Sequence, residues 1–277
     1  MHPRALTPAE TADRLVLLGL DQSRARAFAY EDDLRGAAYA WHTHERHQLL
    51  YPLAGTARLD VDDASFLLPP QRAALIPAGE RHATSCRDAS VISIYFDPAA
   101  FPCSVAAVRI FEIPALLREM VIYARRWPVA RRPDDATANT FFAAMADILA
   151  PLLDRGATYR LPRGRTRPVQ RAIECALRDV ASADLSQAAA FAGATERTLR
   201  RRFREETGVT WRAFLTRARV LRAIDLLTSP GASVTRVALD VGFQSLGAFA
   251  AAFRAVTGQT PSEFRRAAGS TPGDDER

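Results

Sequence analysis

Three histidines and one glutamine have spacings that could build a metal site. His42, His44 and Gln48 are separated by even numbers of residues, so on one extended strand they would share a face, and His47 would point to the other. His82 follows a Pro-Ala-Gly turn further along the chain. Imidazole nitrogens bind divalent transition metals well, and an amide oxygen is a weaker, neutral ligand. His42, His44, Gln48 and His82 therefore predict a site for Zn, Ni, Fe, Mn or Co.

Two other interpretations of this cluster stay open. The residues could line a pocket for an organic effector, since the mouths of β-barrels are common ligand sites, or they could form a hydrogen-bonded structural cluster. A single histidine on a strand is usually structural, which is our interpretation of His47. Arg46 has the inward parity of the metal candidates and could pair with an anionic effector, or it could lie at the rim of the pocket.

A second group of residues, the arginines of TERTLRRRFREETG, could bind nucleic acid. This segment predicts a helix with Thr195 as its N-cap. At 100° per residue four arginines share one face of the helix, and Leu199 and Phe203 lie nearly opposite. Arginine pairs with guanine O6 and N7 or binds phosphates, so the pattern predicts a recognition helix rather than a solvated basic face. The four arginines are Arg197, Arg200, Arg201 and Arg204.

This helix belongs to the first of two copies of one pattern. Gly193 of the first copy aligns with Gly242 of the second, and Thr195 aligns with Ser245. Each copy has a short apolar helix, a glycine turn, an N-cap and a second helix closed by glycine, which is typical of a helix-turn-helix. The helix between the copies has roughly 18 residues and spans about 27 Å. It could hold two recognition helices about one turn of DNA apart, ~34 Å.

The second copy has a different surface. Its positions matching the arginines are Gly247, Ala250, Ala251 and Arg254, so one charge remains. Alanine can contact a thymine methyl group but cannot hydrogen-bond to base edges, whereas Ser245 and the helix N-terminus can contact phosphate. We therefore expect the first copy to specify the sequence and the second to anchor the protein.

The elements around these residues predict an α+β protein of two domains. Short, punctuated apolar runs over residues 28–101 predict an antiparallel barrel or sandwich, and helices follow over 113–153. The apolar stripe of those helices would pack on their own barrel or on a second protomer. Residues 154–167 predict a linker, 168–268 an all-α domain with two helix-turn-helix units joined by the long helix, and 269–277 a disordered tail.

Two family resemblances support this division. Gly36-x5-His42-x-His44-x3-Gln48-x6-Gly55 and Pro77-x-Gly79-x2-His82 resemble the two motifs of the cupin barrel, with Gln48 where cupins usually have Glu and Cys86 where they usually have Asn. The C-terminal region resembles the AraC/XylS DNA-binding domain, notably in Val241-Gly242-Phe243 and the run Thr257 to Pro261. The resemblance implies a regulator with a cupin-like sensor and dimerisation domain. It adds DNA contacts to give the set Thr195, Arg197, Arg200, Arg201, Arg204, Ser245, Leu246, Gly247, Ala251 and Arg254.

Charge and cysteine content fit the same interpretation. Residues 1–161 carry a net charge of −1 and residues 162–277 carry +7, which add to the +6 of the chain, and every basic residue is arginine. A basic C-terminal half is the electrostatic pattern of a nucleic-acid binder. The three cysteines are unclustered and predict no disulfide framework. We find no apolar run that predicts a membrane span and no signal peptide, and we expect a cytoplasmic protein.

The sequence therefore predicts a sequence-specific transcription regulator that is not an enzyme. Its partners would be double-stranded DNA, a second copy through the N-terminal domain, and a small-molecule or metal effector, with RNA polymerase as a further candidate. Two alternatives are a metal-dependent cupin enzyme fused to a DNA-binding domain and an effector-free cupin that only dimerises.

Overall fold

The computed structural model of the protein describes residues 4–33, 37–53, 55–69, 71–87, 90–153, 160–228 and 231–269. Gly36 of the first cupin-like motif, residues 154–159 of the predicted linker and residues 270–277 of the predicted tail lie outside these ranges. The chain forms two compact units, one of Met1–Val61 with Phe66–Ala157 and one of Asp62–Ser65 with Thr158–Arg277. The predicted two-domain α+β fold is confirmed.

The first unit is built on two largely antiparallel sheets. One sheet contains the strand order β1-β3-β8-β5-β6, in which β1 and β3 are parallel, and the other has the order β10-β7-β4-β9-β2. The strands are β1 Arg4–Ala5, β2 Ala27–Asp33, β3 Ala37–His42, β4 His47–Pro52, β5 Thr56–Val61, β6 Ala64–Leu68, β7 Arg72–Ile76, β8 His82–Arg87, β9 Ser90–Phe96 and β10 Arg109–Glu112.

Two helices, α2 (Ala115–Tyr123) and α3 (Ala136–Leu149), cover the second sheet. Phe142 and Met145 of α3 are buried in one core cluster with Leu49, Ile94 and Phe96 of the sheet. Of the two options for the apolar stripe of these helices, packing on their own sheet therefore accounts for most of it. The members that are only partly buried are Phe141, Ile148 and Leu152.

Helix α1 (Pro8–Leu18) is fixed against β3 by polar contacts. It begins with a capping box between Thr7 and Glu10. Thr11, which is fully buried, accepts a hydrogen bond from Ala40 N at 3.0 Å, and Arg14 pairs with the buried carboxylate of Asp32 at 2.7 Å. These contacts set the position of α1 although most of its surface is exposed.

The second unit is helical and repeats itself as predicted. Thr195 caps α6 by accepting from Thr198 N, and Ser245 caps α9 by accepting from Ala248 N. Among the described residues, no helix has the length and apolar composition of a membrane span. The helices are α4 Arg167–Arg178, α5 Leu185–Ala192, α6 Glu196–Thr207, α7 Trp211–Leu227, α8 Val234–Asp240, α9 Leu246–Thr257 and α10 Pro261–Gly269.

The described part of the predicted linker is more regular than expected. Residues Arg160–Pro162 form a short strand, β11, which contacts α7, and Arg217 of α7 donates a hydrogen bond to Arg160 O at 3.3 Å. Helix α4 begins at Arg167 rather than at Pro168. Leu161 and Pro162 are both buried, so apolar side chains fix part of a segment that lacks apolar periodicity.

The carboxylate of Glu206 holds the start of α4 against the end of α6. It accepts from Arg165 N at 2.7 Å, from Thr166 N at 2.9 Å and from the Thr166 hydroxyl at 2.6 Å. Partial burial acts to raise the pKa of the Glu206 carboxyl, but these hydrogen bonds outweigh it and the pKa lies below its usual value. Glu206 therefore stabilises the fold in its ionised form.

Replacing Glu206 with Gln should lower the free energy of unfolding by about 1 kcal/mol at neutral pH, because a charge-assisted acceptor becomes neutral. The lowered folded-state pKa makes this contribution full above the ordinary pKa of 4.5 and lost as pH falls through the folded-state value. Urea unfolding of both proteins across pH 3–7 measures the difference. Glu174→Gln, which breaks an exposed pair with Arg178, is the control and should change stability little at any pH. A pH-independent difference for Glu206→Gln would contradict the assignment.

Candidate metal and nucleic-acid sites

The three candidate histidines meet in the first unit. His42 ends β3 and is the direct cross-strand partner of His82, which begins β8. Their ring centroids are 4.3 Å apart, and the ring of His44 lies 5.1 Å from His82 and 6.1 Å from His42. One ring nitrogen from each histidine lies within 4.8 Å of the other two. The structure thus brings together the histidines that sequence spacing grouped.

The route by which these residues meet differs from the expected one. His44 lies in the turn between β3 and β4, and Gln48 lies on β4, which belongs to the other sheet. The prediction that His42, His44 and Gln48 share the face of one strand is wrong, because the chain changes sheets between them. His47 is structural, as expected: its Nδ1 accepts from Ala78 N at 2.9 Å.

Hydrogen bonds to the backbone fix two of the imidazoles. His42 Nδ1 lies 2.7 Å from Ala40 O, and His82 Nδ1 lies 2.8 Å from Glu80 O. Since a carbonyl oxygen only accepts, each Nδ1 carries the proton and each Nε2 keeps its lone pair. His82 Nε2 is buried and has no hydrogen-bond partner among the described residues.

Gln48 fixes the third imidazole. Its Nε2 donates to Ser93 Oγ at 2.8 Å, which turns its Oε1 toward His44 Nε2 at 3.0 Å. His44 Nε2 therefore carries the proton, and His44 Nδ1 keeps its lone pair in a buried position without a partner in the described chain. The Gln48 oxygen, which the sequence predicted as a metal ligand, is engaged by His44 in this structure.

The electrostatic surroundings keep these imidazoles neutral. Burial lowers the pKa of His42 and of His44, and it lowers the pKa of His82 well below the ordinary value of 6.5. Neutral imidazole is the form that binds a metal ion. A metal-bound histidine usually donates its other N–H to a carbonyl or another oxygen, which is the pattern at all three residues. The residues present therefore fit a divalent transition metal.

The guanidinium of Arg46 is engaged by the backbone in this structure, whereas the sequence interpretation gave it an anionic effector or a place at the rim of the pocket. Its three guanidinium nitrogens donate to the carbonyl oxygens of Leu20, Ser23 and Ala25. Its guanidinium also lies over the ring of Phe28, 5.1 Å from the centroid. Arg46 thus anchors the loop after α1, which parity along the strand could not reveal.

A small cavity adjoins the histidines and shows residues that the sequence did not single out. Its volume is about 20 Å³, enough for one water-sized molecule, and Tyr39, Asp32 and His42 are among its lining residues. The hydroxyl of Tyr39 donates to Asp32, which also pairs with Arg14. Only the polar character of these residues could have marked them in the sequence.

The first recognition helix presents its arginines to solvent. Leu199 and Phe203 are buried, and all four arginines of the predicted stripe are exposed. Arg201 makes two contacts with Glu205, at 2.9 and 3.0 Å, and Arg200 lies 3.6 Å from Glu196. Exposed i,i+4 pairs of this kind are worth well under about 1 kcal/mol, so DNA can replace them.

The second recognition helix presents a mostly apolar face. Phe249 and Phe253 are fully buried, whereas Leu246, Gly247, Ala251 and Arg254 are exposed. The predicted DNA-contacting residues of both copies are therefore accessible, with Thr195 and Ser245 also exposed as N-caps. The exposed face of α6 therefore carries several arginines, whereas the exposed face of α9 is mostly apolar.

The second unit has two helix-turn-helix units with accessible recognition helices, and the first unit has a buried cluster of candidate ligand residues. This combination defines a DNA-binding transcriptional regulator. The AraC-like ligand binding domain family matches residues 26–190, and a helix-turn-helix domain family matches residues 188–267. The chain belongs to the AraC family of transcriptional regulators.

Two named relatives agree with this family. The HTH-type transcriptional regulator NimR of Escherichia coli strain K12 is 26% identical over 227 residues, which cover 80% of this chain and 81% of that protein. The transcriptional activator NphR of a Rhodococcus species is 37% identical over 134 residues, 47% of this chain and 39% of NphR. A solved structure of a DNA-binding transcriptional dual regulator from Escherichia coli K-12 shares 27% identity, covering 37% of this chain and 99% of that one with a TM-score of 0.35.

Proposed function

We propose that the N-terminal domain of this regulator senses a divalent transition metal held by His42, His44 and His82. The carrying observation is that His44 Nδ1 and His82 Nε2 are buried without a hydrogen-bond partner in the described chain. Burying an unpaired polar atom costs about 1–3 kcal/mol, and a metal ion would satisfy these atoms together. The metal would supply a positive charge, and its three ligands would join the end of β3, the turn after it and the start of β8.

Metal binding can regulate DNA binding only through different affinities for two states of the protein. The proposed effector signal is a metal link at the His42–His82 end of β3 and β8, two strands that already pair at Ala38–Ser85 and Tyr39–Thr84. The test is metal analysis of protein purified without metal-binding resin, followed by calorimetric titration of the stripped protein with Zn, Ni, Fe, Mn and Co. Stripped protein that binds none of these at micromolar concentration would refute the proposal.

The alternative is that the domain binds an organic effector in the cavity beside His42. In this structure the cavity has a volume of about 20 Å³, which is enough for one water-sized molecule. Because NimR and NphR are transcriptional regulators, we propose no catalytic role for the histidines. We also propose that the protein acts in the cytoplasm and that it contacts RNA polymerase.

We also propose that the protein acts as a homodimer through α2 and α3. Leu116 and Tyr123 of α2 are 62% and 52% exposed, and a groove of about 870 Å³ runs along Met120, Tyr123 and Phe141. Glu119 and Arg126 also border this groove, so a second copy related by two-fold symmetry could pair opposite charges across it. A contiguous apolar surface with a charged rim suits a protein interface.

Tyr123→Asp should weaken self-association at least about tenfold, because it places a charge in an apolar interface. Sedimentation velocity over a range of concentrations measures the dimer dissociation constant. Leu17→Asp, at an 87% exposed position on α1, is the matched control and should leave the constant unchanged. Equal effects of the two substitutions would place the interface elsewhere.

Arg200→Ala or Arg201→Ala should cost about 1–3 kcal/mol on the specific DNA site and relax its sequence preference, because a bidentate base contact is lost. Competition binding of specific and random duplexes at one fixed salt concentration measures both effects. Arg202→Ala is the control: Arg202 is exposed on the same helix but off the predicted stripe, so it removes one charge without removing a base contact. Equal losses on both duplexes for Arg200 and Arg201 would mean that they contact phosphates.

A further inference from the structure

The amino end of α9 exposes a large apolar side chain where a recognition helix meets DNA. Leu246 is the first residue of α9 and is 48% exposed. Its neighbours on the exposed surface of the first two turns are Gly247, Ala248 and Ala251, none of which carries a polar side chain. The first charged residue of this surface is Arg254, near the end of the helix.

The local structure holds Leu246 in this place. Ser245 Oγ accepts from Ala248 N at 3.2 Å and fixes the first turn. Phe249 and Phe253 are fully buried on the opposite side and contact each other with ring centroids 5.5 Å apart. Leu246 therefore lies on the solvent side of a helix that is fixed by its cap and by its buried side. The residues that pack this helix onto the unit include Phe249 and Phe253, and Leu246 is not one of them.

The neighbouring small residues allow this end of the helix to approach a surface closely. A Cβ atom added to Gly247 would meet nothing within 4 Å, so space on that side is open. Helix-turn-helix proteins place the first residues of the recognition helix against base edges in the major groove. The one apolar group that a base edge presents there is the C5 methyl of thymine.

We propose that Leu246 reads a thymine methyl group, so that the second half of the DNA site is specified by apolar contact. This inference rests on DNA binding by the second helix-turn-helix and is independent of the proposed metal site. It changes the role of α9 from an anchor to a reader with its own base preference. The first helix-turn-helix reads by arginine, and the second reads by a methyl contact.

Replacing thymine by deoxyuridine removes only this methyl group and provides the test. Binding sites are first selected from random duplexes with the full-length protein, and each thymine is then replaced singly. We expect at least one replacement to weaken binding by the wild-type protein about fourfold, corresponding to ~0.8 kcal/mol for one buried methyl group. At that position Leu246→Ala should bind thymine and uracil equally, as a double-mutant cycle requires for a direct contact.

Leu239→Ala is the matched control, since Leu239 of α8 is also an exposed leucine, at 58%. It should keep the fourfold preference for thymine, and melting curves should show both variants folded. The proposal fails if no replacement weakens wild-type binding, or if Leu246→Ala keeps every thymine preference of the wild type. The second result would leave Leu246 exposed for a protein partner instead.

Discussion

Gly242→Ala should destabilise the DNA-binding unit by about 3 kcal/mol and abolish specific DNA binding. Gly242 has φ +88°, a left-handed conformation that costs other residues about 1–2 kcal/mol. An added Cβ would also lie 2.5 Å from Ala181 O and 2.8 Å from Ala181 Cα, so backbone must move, and overpacking of this kind costs about 1–3 kcal/mol. Urea unfolding followed by circular dichroism measures the loss.

The duplicated pattern supplies a matched control for this prediction. Gly193 is the aligned glycine of the first copy and has φ +68°, but an added Cβ there would meet nothing within 4 Å. Gly193→Ala should therefore cost only the conformational strain, about 1 kcal/mol. If the two substitutions cost the same, the close approach of Gly242 to Ala181 does not constrain the fold.

The effect is larger at Gly242 because the carbonyl of Ala181, which lies against Gly242, also accepts a hydrogen bond from the long helix α7. Arg219 of α7 donates to Val180 O at 2.8 Å and to Ala181 O at 3.0 Å. The turn between α4 and α5 therefore touches both the long helix and the glycine turn of the second copy. Displacing Ala181 would disturb the spacing of the two recognition helices as well as local packing.

His82→Ala should reduce metal affinity by more than about 100-fold, since changes even to residues that orient metal ligands cost about 10–100-fold. His82 is fully buried, and among the described residues its Nε2 has no hydrogen-bond partner, so its loss removes a free ligand atom from the histidine cluster. Calorimetric titration of the stripped protein measures the affinity. Metal should also raise the melting temperature of the wild type and not that of the variant.

Two further variants, one of a second ligand and one control, separate loss of the metal site from misfolding and from adventitious metal binding. His42→Ala removes a half-buried ligand and carries less risk of misfolding, and it should show the same loss of affinity. Cys103→Ala removes an exposed thiol, the usual source of adventitious metal binding, and should leave affinity unchanged. If affinity follows Cys103 rather than His42 and His82, the histidines do not hold the metal.

The helical unit could be predicted well from the sequence because its signals are local. N-caps, glycine stops and the helical period act within a few residues, and Thr195, Ser245 and Gly208 lie where these rules place them. The arginine stripe followed from the same period, since a helix fixes which residues share a face. The prediction of two helix-turn-helix units needed no long-range information.

The candidate metal site was less predictable because its residues meet through sheet pairing. His42 and His82 are neighbours only because β3 pairs with β8, and Gln48 reaches His44 from a strand of the other sheet. The even spacing grouped His42 with His44, which the structure brings together, although the single strand on which it relied does not exist. The carbonyl partners of Arg46 belong to residues 20–25, which no spacing rule connects to it.

The unequal surfaces of α6 and α9 also give the protein a direction on DNA. An arginine-bearing helix and an apolar helix, joined in fixed order by α7, cannot exchange places. A single chain therefore distinguishes its binding site from the same site turned end for end. Inverting the site of a single chain would turn its DNA-binding unit around, so binding by that unit should depend on the polarity of its site as well as on its base sequence.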